Sequence, residues 1–348
     1  ITNQTGVDAG GVPTIDRLFR YPGARLVALF APEHGIRGTY RPGESVRDTA
    51  LGASDTLDSA TGLPIYSLYG PRRAPTSAQL DAVDVLLVDL QDVGARTFTF
   101  VSTMVHAMRA AAAAHKPVIV LDRPNPIGCA VQGPVLDPTN ASFIGMLPVP
   151  LRHGMTIGEL ARLANRELRI RADLVVVPMK GWRRCMWFDE TGLPWVQPSP
   201  NLPDLGSVAW YPGTVLFEAT NLSVGRGTDA PFQQVGATWL NADSVTRLVS
   251  PHLVRLAPTR FTPFQPGDGK FDNVTVRGVR FPAYARVPGL LAQCLAHRDP
   301  PPPGARGCAS DPVESALALL DAIRRVHPDS LRVDEVGLAR RLGVAPGG

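Results

Sequence analysis

Short apolar runs and amphipathic segments alternate along the first half of the chain. Four runs rich in leucine and β-branched residues each end in polar turn residues, at 25–30, 83–90, 116–121 and 174–179. Unbroken apolar runs of this length are typical of strands that are buried on both faces of a parallel sheet. Amphipathic patterns predict helices at 102–115 and 156–167, where Thr156 and Glu159 have the spacing of a capping box. The alternation predicts an α/β fold with a doubly wound, mainly parallel sheet.

The pattern changes near Asp204. Glycine, proline and aromatic residues increase from about residue 201, and the alternation of strand and helix fades. The remaining apolar patterns predict a strand or hairpin at 273–280, a helix at 312–327 and a short helix at 333–342. At the other end, residues 1–6 read as the end of a strand that runs into a glycine turn, so we expect the first strand to begin before this chain does.

Composition narrows the classes of function. Apolar residues make up 44% of the 348 residues, which is enough for two cores because single cores stop growing at about 250–300 residues. Lys and Arg number 35 against 31 Asp and Glu, and this small excess forms no basic stripe of the kind that binds nucleic acid. No apolar run approaches the ~18 residues of a membrane helix. We therefore expect neither a nucleic-acid partner nor a membrane span.

The four cysteines are Cys129, Cys185, Cys294 and Cys308. None belongs to a CxxC pair, which argues against a zinc ribbon. We expect four unpaired thiols. The alternative is a bridge between Cys294 and Cys308, which flank a proline-rich loop.

Polar side chains follow three of the predicted strands. In open α/β sheets, ligands bind at the carboxyl ends of the strands, so these turns are candidates for a site. They carry Glu33 and His34 after the first run, Asp89, Asp92 and Arg96 after the second, and Asp122, Arg123 and Asn125 after the third. Carboxylates that converge from separate strands suit acid and base catalysis at a glycosidic bond. Alternatively, Asp89 and Asp122 cap turns or pair with arginines.

Other chemistries find less support. The same carboxylates would suit a divalent cation, but the chain has no HxxE or HxH motif and its histidines are scattered, so we expect no metal. Neither a GxGxxG turn after a strand nor a phosphate-binding GxxxxGK loop is present. The GxSxG signature of a serine nucleophile is also missing.

A second polar segment lies at 211–231 and contains Glu218, Asn221 and Arg226. A glycine-rich loop with Asn and Arg side chains presents many hydrogen-bond donors, which suits a sugar ligand. Three tryptophans are candidates for stacking on a sugar or, alternatively, core residues: Trp182, Trp195 and Trp210.

Eight motifs occur in order along the chain. They are TNQTG at 2–6, LFAPEHGIRG at 29–38, TGLPIYSLYG at 61–70, DLQDVGARTFT at 89–99, LDRPNPIG at 121–128, LRHGMTIGELA at 151–161, TGLPWVQPSPNLP at 191–203 and TNLSVGRGTDAPF at 220–232. Together these motifs resemble the bacterial exo-β-N-acetylmuramidase NamZ family.

The resemblance implies a Rossmann-like catalytic domain, assigned here to 1–204, and a smaller α+β domain at 205–348 that completes the cleft. It also implies release of N-acetylmuramic acid from the non-reducing end of peptidoglycan fragments such as MurNAc-GlcNAc or muropeptides, without a cofactor. Glu33 matches the glutamate of the family's PEHG motif, which is its candidate catalytic carboxylate.

We expect Glu33 to be the general acid, with Asp92 or Glu218 as the second carboxylate. The 2-acetamido group of the substrate is an alternative to a protein nucleophile. Because N-acetylmuramic acid carries a lactyl carboxylate, we also expect an arginine from the motif loops to bind it. The residues expected to bind substrate are His34, Arg96, Asp122, Arg123, Asn125, His153, Asn221 and Arg226.

Two rival functions stay open at this point. A non-catalytic protein that binds muropeptides or another anionic sugar would use the same arginines and aromatics, but it would leave the carboxylates at the strand ends unexplained. A glycosidase for another N-acetylated amino sugar is the second rival. We expect a secreted or periplasmic bacterial protein, and the sequence leaves its oligomeric state open.

Overall fold

The computed structural model describes residues 1–38, 56–283 and 311–345. The strands are β1 Leu29–Ala31, β2 Thr56–Leu57, β3 Pro64–Ser67, β4 Leu86–Val88, β5 Val118–Leu121, β6 Gln132–Val135, β7 Pro150–Arg152, β8 Leu174–Val177, β9 Gln234–Ala237, β10 Ala257–Phe261 and β11 Val276–Arg280. The α-helices are α1 Thr14–Phe19, α2 Ser77–Asp81, α3 Thr99–Ala113, α4 Ile157–Glu167, α5 Leu205–Thr214, α6 Ala242–Leu248, α7 Pro312–Val326 and α8 Glu335–Leu342. None of these helices is long and apolar enough to cross a membrane.

Parallel strands form the centre of the first half. Strand β5 lies between β4 and β8 and pairs with both in parallel, while β1 pairs in parallel with β3. Thr2 connects the two groups, because it forms a parallel bridge with Asp89 and its backbone N donates to the Phe30 carbonyl at 3.2 Å. The carboxyl ends of β1, β4 and β5 therefore lie along one edge. The predicted α/β class with parallel strands is confirmed.

Two helices cover this sheet through apolar faces. Helix α3 buries Phe100, Met104 and Met108 completely, and it packs against α4, which also contacts β5 and β8. The capping box of α4 is confirmed: the Thr156 hydroxyl accepts from the Glu159 backbone N, and the Glu159 carboxylate accepts from the Thr156 backbone N. Burial of these faces contributes the main driving force for the helices to dock on the sheet.

The second half has a different architecture. Strands β9, β11 and β10 form an antiparallel sheet, which confirms the strand or hairpin expected near residue 276. Helices α5 and α7 approach closely at Gly213, where a Cβ would lie 1.8 Å from the Pro312 carbonyl oxygen. The two halves share one apolar core, in which Phe98 packs edge-on against Tyr211 with ring centroids 6.2 Å apart. The fold is a mixed α/β structure in a two-domain arrangement.

A disulfide joins Cys129, in the loop after β5, to Cys185, in the loop after β8. The expectation of four unpaired thiols is wrong for this pair. Spacing along the chain gave no sign of it, because the parallel order of β5 and β8 brings together loops that are 56 residues apart. Cys294 and Cys308 lie outside the described residues.

The disulfide should stabilise the fold. Because it restricts the unfolded chain over 56 residues, we expect Cys129→Ala/Cys185→Ala to lower the free energy of unfolding by about 2–4 kcal/mol. The measurement is guanidinium denaturation with and without reductant. Reductant should destabilise the wild type by a similar amount, and the double variant controls for any effect on the other two cysteines. Equal stability of variant and wild type without reductant would contradict this prediction.

Candidate active site

Glu33 lies in a tight turn that follows β1. The turn is closed by the Gly35 backbone N, which donates to the Pro32 carbonyl at 3.1 Å. His34 and Gly35 both have left-handed backbones, with φ of 73° and 74°. Glycine adopts this conformation freely, but His34 does so at a cost of roughly 1–2 kcal/mol. Strain of this kind is concentrated at functional sites, and here it lies at the residue next to Glu33.

Two hydroxyl groups hold the Glu33 carboxyl. Thr99, the first residue of α3, donates from Oγ1 to Oε2 at 2.6 Å. The Tyr69 hydroxyl also donates to Glu33, and burial together with this carboxylate raises the pKa of Tyr69 above its usual value. Glu33 is half-buried. Its carboxyl is therefore oriented by two donors and is still accessible to a ligand.

Tyr211 brings the two halves of the chain together at this point. Its ring is buried and packs edge-on against Phe232, with centroids 4.8 Å apart. Burial raises the pKa of Tyr211, and the charges of Glu218 and Glu33 raise it further. Tyr211 therefore lies within the electrostatic reach of both carboxylates. Sequence reasoning missed this role and that of Tyr69, because their partners are distant along the chain.

Glu218 forms a partly buried ion pair. The Arg226 guanidinium donates to its Oε1, with the Nε contact at 3.0 Å, and Arg341 approaches Oε2 at 3.5 Å. Burial alone would raise the pKa of Glu218, but the charges of Arg226, Arg341 and Lys270 outweigh it and lower this pKa below its usual value. Glu218 is therefore ionised at neutral pH. It suits charge stabilisation or base catalysis and does not suit proton donation.

Asp92 and His153 form a pair beneath the surface. His153 Nε2 lies 3.2 Å from Asp92 Oδ2, and both residues are at most 3% exposed. Because the Met155 backbone N donates to His153 Nδ1, the ring proton is assigned to Nε2. The Gly94 backbone N donates to the same Asp92 oxygen at 2.7 Å. In this conformation the Asp92 carboxylate fixes the loop after β4 through Gly94, and it is not exposed to solvent.

Two of the candidate arginines are also used internally. Arg96 is 4% exposed and donates to three backbone carbonyls, among them those of Val149 and Arg341. Arg123 donates through two nitrogens to the fully buried carboxylate of Asp89, at 2.5 and 2.9 Å. The alternative in which Asp89 pairs with an arginine describes this contact. Both guanidinium groups stabilise the loops at the edge of the sheet.

The three remaining polar candidates bind backbone or cap groups. Asp122 accepts from the Thr156 hydroxyl at 3.0 Å, which helps to fix the start of α4. Asn125 donates to the Met155 carbonyl at 3.0 Å. Asn221 donates to one backbone carbonyl and accepts from one backbone N–H in the segment before α8. The charges of Glu33, Glu218 and Arg226 all act on the pKa of Tyr211. The side chains of Asp122, Asn125 and Asn221 instead make supporting contacts within the fold.

Two of the three candidate tryptophans make internal contacts. Trp210 is 1% exposed and its indole N donates to the Pro282 carbonyl, so it is a core residue and is not available to a sugar. Trp195 packs edge-on against Phe188 and donates to the Pro203 carbonyl.

Among the described residues, no three His, Cys, Asp or Glu side chains are grouped as a metal site would require.

Two family profiles together match most of the chain. A family profile described as "Exo-beta-N-acetylmuramidase NamZ, N-terminal" matches residues 1–206, and its C-terminal counterpart matches residues 209–344. The chain belongs to the NamZ family. A relative from Bacillus subtilis strain 168, named peptidoglycan beta-N-acetylmuramidase NamZ, is 44% identical over 281 residues. That match covers 80% of this chain and 66% of the relative, which is just under two thirds of its length.

Solved structures resemble the whole fold. A DUF1343 family protein from Bacteroides fragilis NCTC 9343 aligns with a TM-score of 0.81 at 34% identity, and the match covers 99% of this chain and 83% of that one. A second DUF1343 family protein from the same strain aligns with a TM-score of 0.64 at 30% identity, over 99% of this chain and 86% of that one. The fold shared with these structures therefore extends over nearly the full chain.

The ion pair of Glu218 predicts a dependence of stability on pH. A carboxyl with a lowered folded-state pKa stabilises the fold above its unfolded-state value near 4.5, and this contribution is lost as the pH falls through the folded-state pKa. We expect Glu218→Gln to cost about 1.5–3 kcal/mol near pH 7, because it leaves the partly buried Arg226 without its main partner. The difference from wild type should shrink below pH 4.5.

Urea denaturation of both proteins between pH 3 and pH 7 measures this. The control is Asp84→Asn, which removes an exposed carboxylate without an ion pair in the described residues and should change stability by less than about 0.5 kcal/mol. A cost for Glu218→Gln that stays constant across the whole range would contradict the ion-pair account.

Proposed function

We propose that this protein is an exo-acting glycosidase that releases N-acetylmuramic acid from the non-reducing end of peptidoglycan fragments. The observation that carries the proposal is the accessible Glu33 carboxyl, which two hydroxyls orient at the end of a parallel strand. The Bacillus subtilis relative is named a peptidoglycan beta-N-acetylmuramidase, which supports the same substrate class.

Glu33 is the proposed general acid. In its protonated form it transfers its proton to the glycosidic oxygen as the bond from that oxygen to C1 of the muramyl ring breaks. Thr99 and Tyr69 fix the direction of this transfer through their contacts with the carboxyl. Orientation of this kind is a large part of catalysis, because a displacement of about 1 Å can lower the rate by about 100-fold. Water then adds to C1 and restores the proton.

Glu218 is the proposed second carboxylate. Its contacts with Arg226 and Arg341 keep it ionised, which suits stabilisation of the positive charge that develops on the sugar ring. The same contacts hold its oxygens in place, so they favour electrostatic stabilisation over direct attack on C1. We propose that the 2-acetamido group of the substrate or a water molecule acts as the nucleophile.

We propose that the substrate cleft lies between two domains. We infer that residues 1–204 form a Rossmann-like, doubly wound domain and that residues 205–348 form a smaller α+β domain beside it. The parallel order of β4, β5 and β8 supports the first assignment. The pKa of Tyr211 is raised by the charges of both Glu33 and Glu218, which supports a site shared by the two domains.

An oxidising compartment fits the disulfide. Bonds such as Cys129–Cys185 persist in secreted and periplasmic proteins and are rare in the cytosol. Peptidoglycan lies in those compartments. We propose that the protein acts there.

The test is release of N-acetylmuramic acid from MurNAc-GlcNAc by the wild type, Glu33→Gln and Glu167→Gln. Loss of the general acid should lower kcat by about 10²–10⁴-fold, whereas Glu167 is exposed and away from the site, so its variant should match the wild type. Binding of the disaccharide without turnover by folded wild type would favour a binding protein. Equal turnover of a glucosaminyl disaccharide would favour a glycosidase for another amino sugar.

A further inference from the structure

A cluster of aromatic side chains with one guanidinium lies one side chain away from Glu33. The Arg73 guanidinium is 4.3 Å above the centre of the Phe143 ring. The rings of Tyr69 and His106 lie 6.1 and 5.9 Å from the same Phe143 ring. Because Tyr69 donates to Glu33, this cluster adjoins the proposed general acid. No step of the proposed mechanism uses Arg73, Phe143 or His106.

Arg73 has no carboxylate partner among the described residues. It is exposed, and its guanidinium stacks on Phe143. His106 does not offset its charge: burial and the charges of Arg109 and Arg73 lower the pKa of His106, which is therefore neutral near pH 7. A guanidinium above an aromatic ring gains cation–π attraction and is held in one orientation. The cluster thus presents an oriented positive charge toward solvent.

The three motif-loop arginines expected to bind substrate are committed elsewhere. Arg96 is bonded to backbone carbonyls, Arg123 to Asp89, and Arg226 to Glu218. Each of them would have to give up a buried or partly buried partner to bind an anion, which is costly for a desolvated charged group. The earlier expectation that a motif-loop arginine binds the lactyl carboxylate therefore has weak support in this geometry.

The proposed substrate brings an anion to this place. The lactyl carboxylate is attached to the same pyranose ring as the scissile C1, so it must lie within one sugar unit of Glu33. Resting on the proposed function, we infer that Arg73 binds the lactyl carboxylate of the muramyl unit and sets the preference for it. Phe143 holds the guanidinium so that its fork of donors can bind both carboxylate oxygens.

The experiment compares two substrates, 4-nitrophenyl β-N-acetylmuramide and its lactyl methyl ester, which has no charge. A charge-assisted bidentate contact at an exposed residue should give the wild type a preference of at least about tenfold in kcat/KM for the free acid. Arg73→Gln should abolish this preference by lowering kcat/KM on the acid alone. Arg73→Lys should keep part of it, because lysine retains the charge without the fork.

The matched control is Arg109→Gln, which removes a second exposed arginine beside His106 and should keep the wild-type preference. Unchanged kcat/KM of Arg73→Gln on the ester shows that the variant is folded. If Arg73→Gln keeps the wild-type preference, the inference is wrong while the muramidase proposal stands. If folded wild type cleaves neither substrate, the proposed function fails and this inference fails with it.

Discussion

The hydrogen bond from Thr99 to Glu33 is the contact on which the proposed site depends. It joins the turn after β1 to the first residue of α3, so the end of one strand and the start of one helix fix a single carboxyl. The strained His34 holds the turn from one side, and Tyr69 holds the carboxyl from another. A carboxyl fixed by rigid elements keeps its direction without the loss of side-chain entropy that a free glutamate would pay on binding.

Other polar residues at the edge of the sheet fix the loops that surround this carboxyl. Asp92 and His153 hold the loop after β4, and the pair of Asp89 and Arg123 holds the loops after β4 and β5 together. Buried pairs of this kind contribute little net stability relative to apolar residues, but loss of one partner is costly. Their physical role is to restrict the loops to one conformation, which places the accessible groups of the site.

The sequence predicted the elements well and the polar contacts poorly. The capping box at Thr156 was readable because both of its residues lie within one helical turn. The role of Arg96 could not be predicted from the sequence, because its carbonyl partners lie 38 to 245 residues away. A polar residue at a strand end is expected to face solvent, but the segment at residues 2–7 covers this edge and encloses Asp89 and Arg123. Tyr211 was missed because the charged groups that act on it come from both halves of the chain.

The central claim is that Glu33 donates a proton to the leaving group, and leaving groups of different basicity test it directly. The measurement is kcat/KM of wild type and Glu33→Gln on MurNAc-GlcNAc and on 4-nitrophenyl β-N-acetylmuramide. A sugar alcohol needs protonation to leave, whereas nitrophenolate does not. The account predicts a loss of at least about 100-fold on the disaccharide and a much smaller loss on the nitrophenyl substrate. Equal losses on both substrates would contradict the role of Glu33 as the general acid.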